Sequence, residues 1–408
     1  MLFGFGITVV NPATVIPALV RTLTPSAPLI GLVEAIRTGV WLLPQLFVAW
    51  WLSGRTIGKR HLLIPYCASR LALALVAPLL LMTAMANPSL ALTGVFASLF
   101  LFFFLDAFGS LSWFDLFSIS LSPVHRSRLI GTAQVISGAG GIGIGFFVAA
   151  VLAAPSLGFP ASYATLFAVS GVFMAMELAA ISFLRVPADV PGRQRIPLRS
   201  FLPWVGTLLA RDRDFRMLII SRLLIGASGL AIPFYIIFAL DVLHLGPESV
   251  GVFTAAQVVG SIASAPLMAW LSERRGTRSV VRLVAGMAVL LPLIGLTLFL
   301  LRSSIGPAPL AVIASAIFVL MGGVNNGNMA GFTNYLMEYA PGAQRPVYIG
   351  LANTLNGLVL VAPLVGGWIL AGSSYPVLFA LAAIVSGAGL AATRWLREPR
   401  AGGISKTP

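Results

Sequence analysis

The chain has few charged residues for its length. Of its 408 residues 9% are charged and only 12 are Asp or Glu, whereas 58% are hydrophobic. So little polar surface cannot cover a water-soluble globule of this size. The composition excludes a soluble domain and predicts an integral membrane protein that is solvated by the lipid bilayer.

Cysteine and histidine are also scarce. The single cysteine, Cys67, excludes an internal disulfide. The three histidines stand at the ends of separate apolar segments, and neither a metal-ligand spacing nor a Ser, His and Asp grouping occurs at one depth, so we expect no metal site and no enzyme. A G-x-G-x-x-G pattern at 138–143 lies in an apolar helix without a preceding strand, so we expect no nucleotide and no other cofactor.

What the chain has in abundance is long apolar runs. Twelve of them can cross about 30 Å of hydrocarbon, and they lie near 2–20, 28–53, 62–86, 91–118, 129–153, 162–184, 215–240, 248–271, 279–301, 309–337, 347–371 and 376–396. We number them spans 1 to 12. The fold predicted is all-α, with a six-helix bundle at 1–184, a cytoplasmic linker at 185–214, a second six-helix bundle at 215–397 and a tail at 398–408.

Basic residues decide the orientation. The net charge is +14, and all but five of the 26 Lys and Arg fall on one side of this topology. The positive-inside rule makes that side cytoplasmic and places both termini there, in a multi-pass protein of the cell membrane. The basic balance therefore reports topology, and we expect a monomer without a nucleic-acid partner.

Several short segments of the sequence recur 219 positions later, either unchanged or in similar form. WLS at 51–53 returns at 270–272, and IGTAQ at 130–134 returns as IGLAN at 349–353. A period of half the chain in so apolar a sequence predicts two pseudo-symmetric copies of one bundle. Duplicated bundles of this kind bind their solute between the copies, near the middle of the membrane.

Twelve spans in two similar halves joined by a basic linker resemble the major facilitator superfamily. That family carries a G-x-L-A-D-R-x-G-R-K loop between spans 2 and 3 and a weaker copy between spans 8 and 9. Here the later copy, AWLSERRGTR at 269–278, is the better match, whereas the earlier one has Gly54 at the acidic position. The resemblance implies a cytoplasmic gate, formed by Glu273, Arg274, Gly276 and Arg278. The alternative is a pair of short basic turns that only obey the positive-inside rule.

The same resemblance implies that spans 1, 4, 7 and 10 line the transport path. Asp106 lies near the middle of span 4, and the repeat pairs it with Asn325 of span 10. We expect the two to face each other, with Asn11 and Tyr235 as companions. Because a charge near the bilayer centre is costly, Asp106 is either a protonation or cation site or a static partner of Arg37 or Arg70. Asp115, on the opposite face of span 4, is expected near the cytoplasmic gate.

Five further residues are candidates for the path, each with a plainer alternative. Glu34 and Arg37 are spaced i, i+3 and can neutralise each other on one helix. Gln257 and Asn353 offer amides to a solute or to neighbouring helices. Trp113 lies on nearly the same face as Asp106, and an aromatic ring beside a carboxylate suits an amphipathic or cationic solute. The alternative is that this ring, like the other aromatic rings of span 4, faces lipid or a neighbouring helix.

Arg222 of span 7 allows two interpretations. It can bind an anionic group, or its long side chain can extend to the cytoplasmic end of the span.

Together these features predict a secondary transporter that moves a small-molecule solute by alternating access, coupled to protons through Asp106. Acidic and aromatic residues in an apolar path favour export of small amphipathic compounds, with proton-linked uptake of a sugar or other small metabolite as the rival. A third class, a non-transporting receptor or lipid scramblase on a transporter scaffold, is suggested by the missing acid at Gly54.

Overall fold

A computed structural model describes residues 1–45, 47–48, 59–120, 123–183, 206, 208–340 and 345–399. All regular structure in these ranges is helical. Ten of the helices that it describes are long and apolar enough to cross a membrane. They correspond to predicted spans 3 to 12, and spans 1 and 2 are divided into shorter helices. The all-α fold is thus confirmed, while most of the predicted linker lies outside the described residues.

In the N-terminal half, span 1 consists of helices Leu2–Val9 and Val15–Leu23, and span 2 begins with helix Ala27–Ala35 followed by a π-helical turn, Ile36–Val40. The remaining spans of this half are Lys59–Ala74 with Val76–Thr83, Pro88–Ser120, Pro123–Ala153 and Ala161–Ser182.

In the C-terminal half, three spans change their helical type part of the way across. Span 7 is Arg213–Ala227, a 3-10 turn Ser228–Ala231, and Ile232–Asp241; span 10 is Pro307–Gly327, a π-helical turn Asn328–Phe332, and Thr333–Tyr339; span 11 is Arg345–Asn356, a 3-10 turn Gly357–Leu360, and Val361–Gly372. Spans 8, 9 and 12 are single helices, Ser249–Arg275, Thr277–Leu301 and Tyr375–Ala392.

Proline accompanies several of these irregularities, since Pro233 follows the 3-10 turn of span 7 and Pro363 that of span 11, but a proline does not always interrupt a helix. Span 1 is interrupted at Pro12, where the Asn11 side-chain oxygen accepts a hydrogen bond from the Ala13 amide at 2.8 Å and closes a turn. Pro266 and Pro292 lie inside continuous helices. A proline within a membrane helix is tolerated where neighbouring helices compensate for the lost hydrogen bond, so sequence position alone does not locate a break.

The helix bundle has one end on each side of the membrane. We call the side that carries most of the Lys and Arg residues the basic side and the other the opposite side. The basic side carries the span ends at Lys59, Ser182, Arg213 and Arg275, and the opposite side carries those at Leu23, Thr83, Ala153, Asp241 and Leu301.

The two halves touch through their backbones from the middle of the membrane to the opposite side. A Cβ at Gly31 would lie 2.2 Å from the carbonyl oxygen of Pro363, and one at Gly251 would lie 2.1 Å from the amide nitrogen of Ala149. Spans 2 and 11, and spans 5 and 8, can approach this closely only because glycine has no side chain. These close backbone contacts hold the two halves together.

Candidate functional site

A buried cluster of charges lies within the N-terminal half, with Arg70 of span 3 at its centre. Its Nη1 lies 2.5 Å from Oδ1 of Asp106 in span 4. Its Nε and Nη2 lie 3.1 and 3.2 Å from the two carboxylate oxygens of Glu177 in span 6, a bidentate pair. Arg70 is 4% exposed and Asp106 6%. We call these three residues the Arg70 cluster.

Aromatic rings enclose the Arg70 cluster. The Trp41 indole Nε1 donates to the second carboxylate oxygen of Asp106 at 3.1 Å. The Tyr66 ring centre lies 4.2 Å from the Arg70 guanidinium carbon, and the Phe3 ring centre lies 4.9 Å from it. Because a ring face attracts a desolvated guanidinium, these contacts stabilise the Arg70 charge away from water.

Asp106 therefore has a fixed partner. Of the two partners considered from the sequence, it pairs with Arg70, while Arg37 pairs with Glu34. With both acids ionised, the Arg70 cluster carries one positive and two negative charges. A buried net charge is costly, so a proton on one of the acids would neutralise the cluster.

Among the described residues no hydrogen bond joins Asp106 and Asn325. The partners of the Asp106 carboxylate in this part of the chain are Arg70 and Trp41, which belong to the N-terminal half. Asn325 has an exposed side chain on span 10. Asp106 and Asn325 are at equivalent positions of the repeat, but the Asp106 carboxylate is buried inside the N-terminal bundle. Their shared role in a path stays a prediction.

Two other predicted path residues connect the halves. The Asn11 amide of span 1 donates to the Gln257 side-chain oxygen of span 8 at 2.7 Å. One turn toward the opposite side, the Thr14 and Thr254 hydroxyls lie 2.6 Å apart, and beyond them Arg21 pairs with Asp241 at 2.8 Å. Polar side chains thus bridge the halves at three successive depths.

Tyr235 and Trp113 pack inside their own halves. Tyr235 is 2% exposed, and its ring stacks on Phe379 of span 12 with centres 5.2 Å apart. Trp113 packs against a small apolar cluster around Leu62 and Tyr66, next to the Arg70 cluster. In both contacts the ring fills the interior of its own bundle, and the predicted role of either residue in a path stays a prediction.

The Glu34–Arg37 pair forms as their spacing predicts. Arg37 Nε lies 2.6 Å from a Glu34 carboxylate oxygen, and the Thr38 hydroxyl donates to the other oxygen at 3.1 Å. The Glu34 side chain is buried, whereas a third of the Arg37 side chain is exposed. The pair is neutral within one helix.

Asn353 of span 11 binds a charge rather than another amide. Its side-chain oxygen accepts a hydrogen bond from Nη2 of Arg222 in span 7 at 3.0 Å. The Arg222 guanidinium also lies 5.6 Å from the Phe332 ring centre of span 10. Spans 7, 10 and 11 therefore meet at this arginine.

At the loop between spans 8 and 9 a different acid occupies the expected position. Glu273 and Arg274 are exposed, and Arg274 lies over the Trp270 ring. It is Glu398, beyond span 12, that accepts the Arg278 amide at 3.1 Å. This amide belongs to the positive N-terminus of span 9, so the contact is an electrostatic cap. Gly276 makes the approach possible, with φ of 80° and no side chain to collide with Glu398.

The side chain of Asp115, which is predicted near the cytoplasmic gate, and the whole of Gly54, the position that lacks the family's acid, lie outside the described residues.

Sequence reasoning missed several residues of these contacts, among them Glu177, Trp41, Asp241 and Glu398. Glu177 could have been found by charge balance, because Arg70 is deep within span 3 and two acids share its half of the membrane. Trp41 and Glu398 carry no such signal, since their partners are 65 and 120 residues away.

The fold is similar to that of solved transporters. A mutant form of the nucleoside transporter NupG has a TM-score of 0.72 and 12% identity over 96% of this chain and 97% of its own. A bacterial homologue of the iron transporter ferroportin, in an inward-facing state, has a TM-score of 0.71 and 15% identity over 96% of each chain. A bacterial metal transporter has a TM-score of 0.60 and 16% identity over 96% of each chain. At such identities the likeness concerns the fold alone.

Comparison with sequence profiles of known families identifies the family of this chain. No curated protein sequence matches this chain. The profile of the Major Facilitator Superfamily matches residues 1–360 and, in a second alignment, 217–408. The two alignments together cover the whole chain, and the second begins near the start of span 7. The chain therefore belongs to the Major Facilitator Superfamily and is a multi-pass membrane protein of a transporter fold.

Proposed function

We propose that this protein is a proton-coupled secondary transporter that exports small amphipathic solutes across the cell membrane by alternating access. Binding and release of a proton at the Arg70 cluster is the coupling event, and both termini face the cytoplasm. The observation that carries the proposal is the sharing of one buried guanidinium by two carboxylates, Asp106 and Glu177. Because the two acids interact strongly, the proton belongs to the cluster rather than to either residue.

A chain of contacts connects the Arg70 cluster with the boundary between the halves. Asp106 holds Trp41, which directly follows the π-helical turn of span 2. Gly39 within that turn packs against Leu360 in the 3-10 turn of span 11. A proton that weakens the Asp106 hydrogen bonds would release Trp41 and shift the contact between spans 2 and 11. Irregular turns are suited to such a shift because their hydrogen bonding already departs from the α-helix.

The direction of transport and the class of solute are proposed from the side chains around Arg70. Export of amphipathic compounds is favoured by the aromatic surroundings of Arg70, and proton-linked uptake of a sugar or small metabolite is the rival. A receptor or scramblase on the same scaffold would have the same fold, but it would not alternate between states that are open to the two sides of the membrane.

The first experiment measures alternation without a known solute. Single cysteines replace Val135 and Ser374 in a Cys67→Ser background. Val135 is 71% exposed and lies one turn to the basic side of Gly138, which packs on Ile262 of the other half. Ser374 lines a cavity on the opposite side beside Arg21 and Asp241. We expect a pH change to increase labelling at one position and decrease it at the other.

Control variants distinguish a proton-coupled transporter from a fixed receptor or scramblase. Asp106→Asn should abolish the pH response, while Glu273→Gln, which removes an exposed acid, should leave it intact. Labelling without reciprocal change would favour a fixed receptor or scramblase. A reciprocal pH response that survives in Asp106→Asn would contradict coupling through the Arg70 cluster.

The second experiment tests direction. Proteoliposomes loaded with a fluorescent amphipathic dye are given a pH gradient of either sign, and impermeant cysteine reagents report the orientation of the inserted protein. Export is supported if the dye moves from the basic side to the opposite side while protons move the other way. Movement only in the reverse direction supports uptake.

A further inference from the structure

Arg222 is a partly buried cation, and the side chains around its guanidinium do not neutralise it. Its Nη2 donates to Asn353, whereas its Nη1 is shielded from solvent and has no hydrogen-bond partner. Within the part of the chain that the structure describes, no carboxylate lies within salt-bridge distance of this guanidinium. Extension of the side chain to the basic side would have exposed Nη1 to solvent. The contacts therefore do not support the interpretation in which Arg222 reaches for the end of its span.

The contrast with Arg70 shows how unusual this is. Arg70 faces two carboxylates and three aromatic rings, but Arg222 has one amide oxygen and one ring. An isolated charge taken out of water costs several kcal/mol at least. A guanidinium nitrogen that is shielded from water and has no protein counter-ion is best stabilised by a counter-ion from outside the chain.

The backbone around Arg222 has the irregularity expected of a binding site. Span 7 becomes a 3-10 turn at Ser228, six residues after Arg222; span 10 is π-helical up to Phe332; and span 11 becomes a 3-10 turn at Gly357, four residues after Asn353. The three side chains that meet here, Arg222, Phe332 and Asn353, therefore each lie in or near an interruption of their own span. Transporters bind solutes where interrupted helices meet near the middle of the membrane.

A second unsatisfied group lies close by. Oδ1 of Asn356 is buried and accepts no hydrogen bond. It lies 3.4 Å from the position that a Cβ would take on Gly226, one helical turn beyond Arg222. Asn353 and Asn356 are spaced i, i+3 and so face the same way on span 11. A free donor on Arg222 and a free acceptor on Asn356 thus flank the same contact between spans 7 and 11.

We propose that Arg222, Asn353 and Asn356 bind the anionic end of the transported solute, a single carboxylate-type group with a hydrogen-bond donor nearby. The inference rests on the proposed function and names its solute class. One guanidinium neutralises one negative charge, so a dianion would bring an unpaired charge into the membrane. Nη1 is the donor that such a carboxylate would use, and Asn356 would accept from a hydroxyl or amide group of the same solute.

A metal cargo fits this chain less well. Among the residues described, no group of three or more His, Cys, Asp and Glu side chains is placed to hold a metal ion. A guanidinium without a counter-ion repels cations in addition. An amphipathic organic monoanion satisfies the charge at Arg222 and the apolar surroundings together.

The test uses benzoate as a probe monoanion and benzamide as its uncharged equivalent. Thermal unfolding of the purified protein is followed at constant ionic strength while either compound is titrated. Benzoate should raise the unfolding midpoint in a saturable manner, because a ligand of the folded state stabilises it by mass action, and benzamide should not. The apparent affinity for benzoate should fall at least tenfold in Arg222→Gln. Arg302→Gln, which removes an exposed arginine of equal charge, should behave as wild type.

Asn353→Asp provides a second variant whose folding is not at risk. It places a carboxylate on the Arg222 guanidinium and should abolish the benzoate response by occupying the site from within. Both variants should unfold at a higher temperature than wild type when no organic anion is present, because Arg222→Gln removes the uncompensated charge and Asn353→Asp supplies its counter-ion. A benzoate response that is absent in wild type, or equal in wild type and both variants, would overturn the assignment.

Two further measurements distinguish a lipid ligand from a solute, and failure of this inference from failure of the proposed transport function. Short-chain phosphatidylglycerol tests whether a lipid headgroup is the ligand, and stabilisation by this lipid but not by benzoate would overturn the solute site. Failure of the proposed transport function is seen separately, in the labelling of Val135→Cys and Ser374→Cys. A protein that alternates but ignores benzoate contradicts this inference alone, and one that binds benzoate without alternating contradicts the transport function alone.

Discussion

Trp41 and Asp106 are joined by a hydrogen bond of 3.1 Å from the indole Nε1 to a carboxylate oxygen. The bond connects span 2, which packs against the C-terminal half, with the charged interior of the N-terminal half. We expect Trp41 to respond to the charge of this carboxylate, because the only polar atom of its side chain is a donor. Under the proposed coupling, protonation of Asp106 should weaken the hydrogen bond and change what Trp41 contacts.

Trp41→Phe should separate the Arg70 cluster from the boundary between the halves. The ring is largely retained while the hydrogen bond is lost, so the free energy of unfolding should fall by about 1 kcal/mol. The pH response of cysteine labelling at Val135→Cys should be reduced, because the cluster can then titrate without moving span 2. Trp270→Phe, at a half-exposed tryptophan remote from the cluster, is the matched control. An unchanged pH response in Trp41→Phe would remove the hydrogen bond from the coupling pathway.

Arg70→Gln should be much more damaging than the loss of either acid. It leaves two carboxylates buried without a counter-ion, a change that costs about 3–5 kcal/mol when one partner of a buried ion pair is removed. Glu177→Gln leaves Arg70 paired with Asp106 and the cluster neutral, so stability should stay within about 1 kcal/mol of wild type or rise. Thermal unfolding in detergent compares the variants.

The double variant Arg70→Gln with Glu177→Gln tests the cause. It removes one of the two uncompensated acids and should recover part of the stability. If the double variant is no more stable than Arg70→Gln alone, lost packing against Tyr66 and Phe3 is responsible rather than charge.

The sequence predicted the fold better than the site, and particular residues explain why. Spans of this chain are apolar on all faces, so their number follows from length and hydropathy while the rotation of each helix about its axis does not. Asp106 could be placed at mid-membrane depth, but only tertiary packing decides that it faces Arg70 and Trp41. The same holds for the acid at the start of span 9, where position in a loop motif favoured Glu273 and chain folding brings Glu398.

The loop between spans 8 and 9 allows a direct comparison of these two acids. Glu398→Gln should lower the free energy of unfolding by roughly 0.5–1 kcal/mol, because a charged acceptor at the N-terminus of span 9 becomes neutral. Glu273→Gln, at an exposed position, should change it by no more than a few tenths. Urea or thermal unfolding measures both variants under the same conditions. Equal effects would show that Glu398 does not cap span 9.

The Arg21–Asp241 pair joins the two halves at the opposite side of the membrane and is expected to favour the conformation in which that side is closed. Both side chains are more than a third exposed, so solvent screening limits the contribution to about 0.2–1 kcal/mol. Asp241→Asn should accordingly raise the ratio of Ser374→Cys to Val135→Cys labelling by no more than about fivefold. The effect should shrink at 1 M salt, because exposed charges are then screened over a few Å. Exchange of the charges in Arg21→Asp with Asp241→Arg should restore the wild-type ratio, since attraction across the boundary is regained. A double variant that behaves like Asp241→Asn would mean that packing at this end, rather than the ion pair, keeps the opposite side closed.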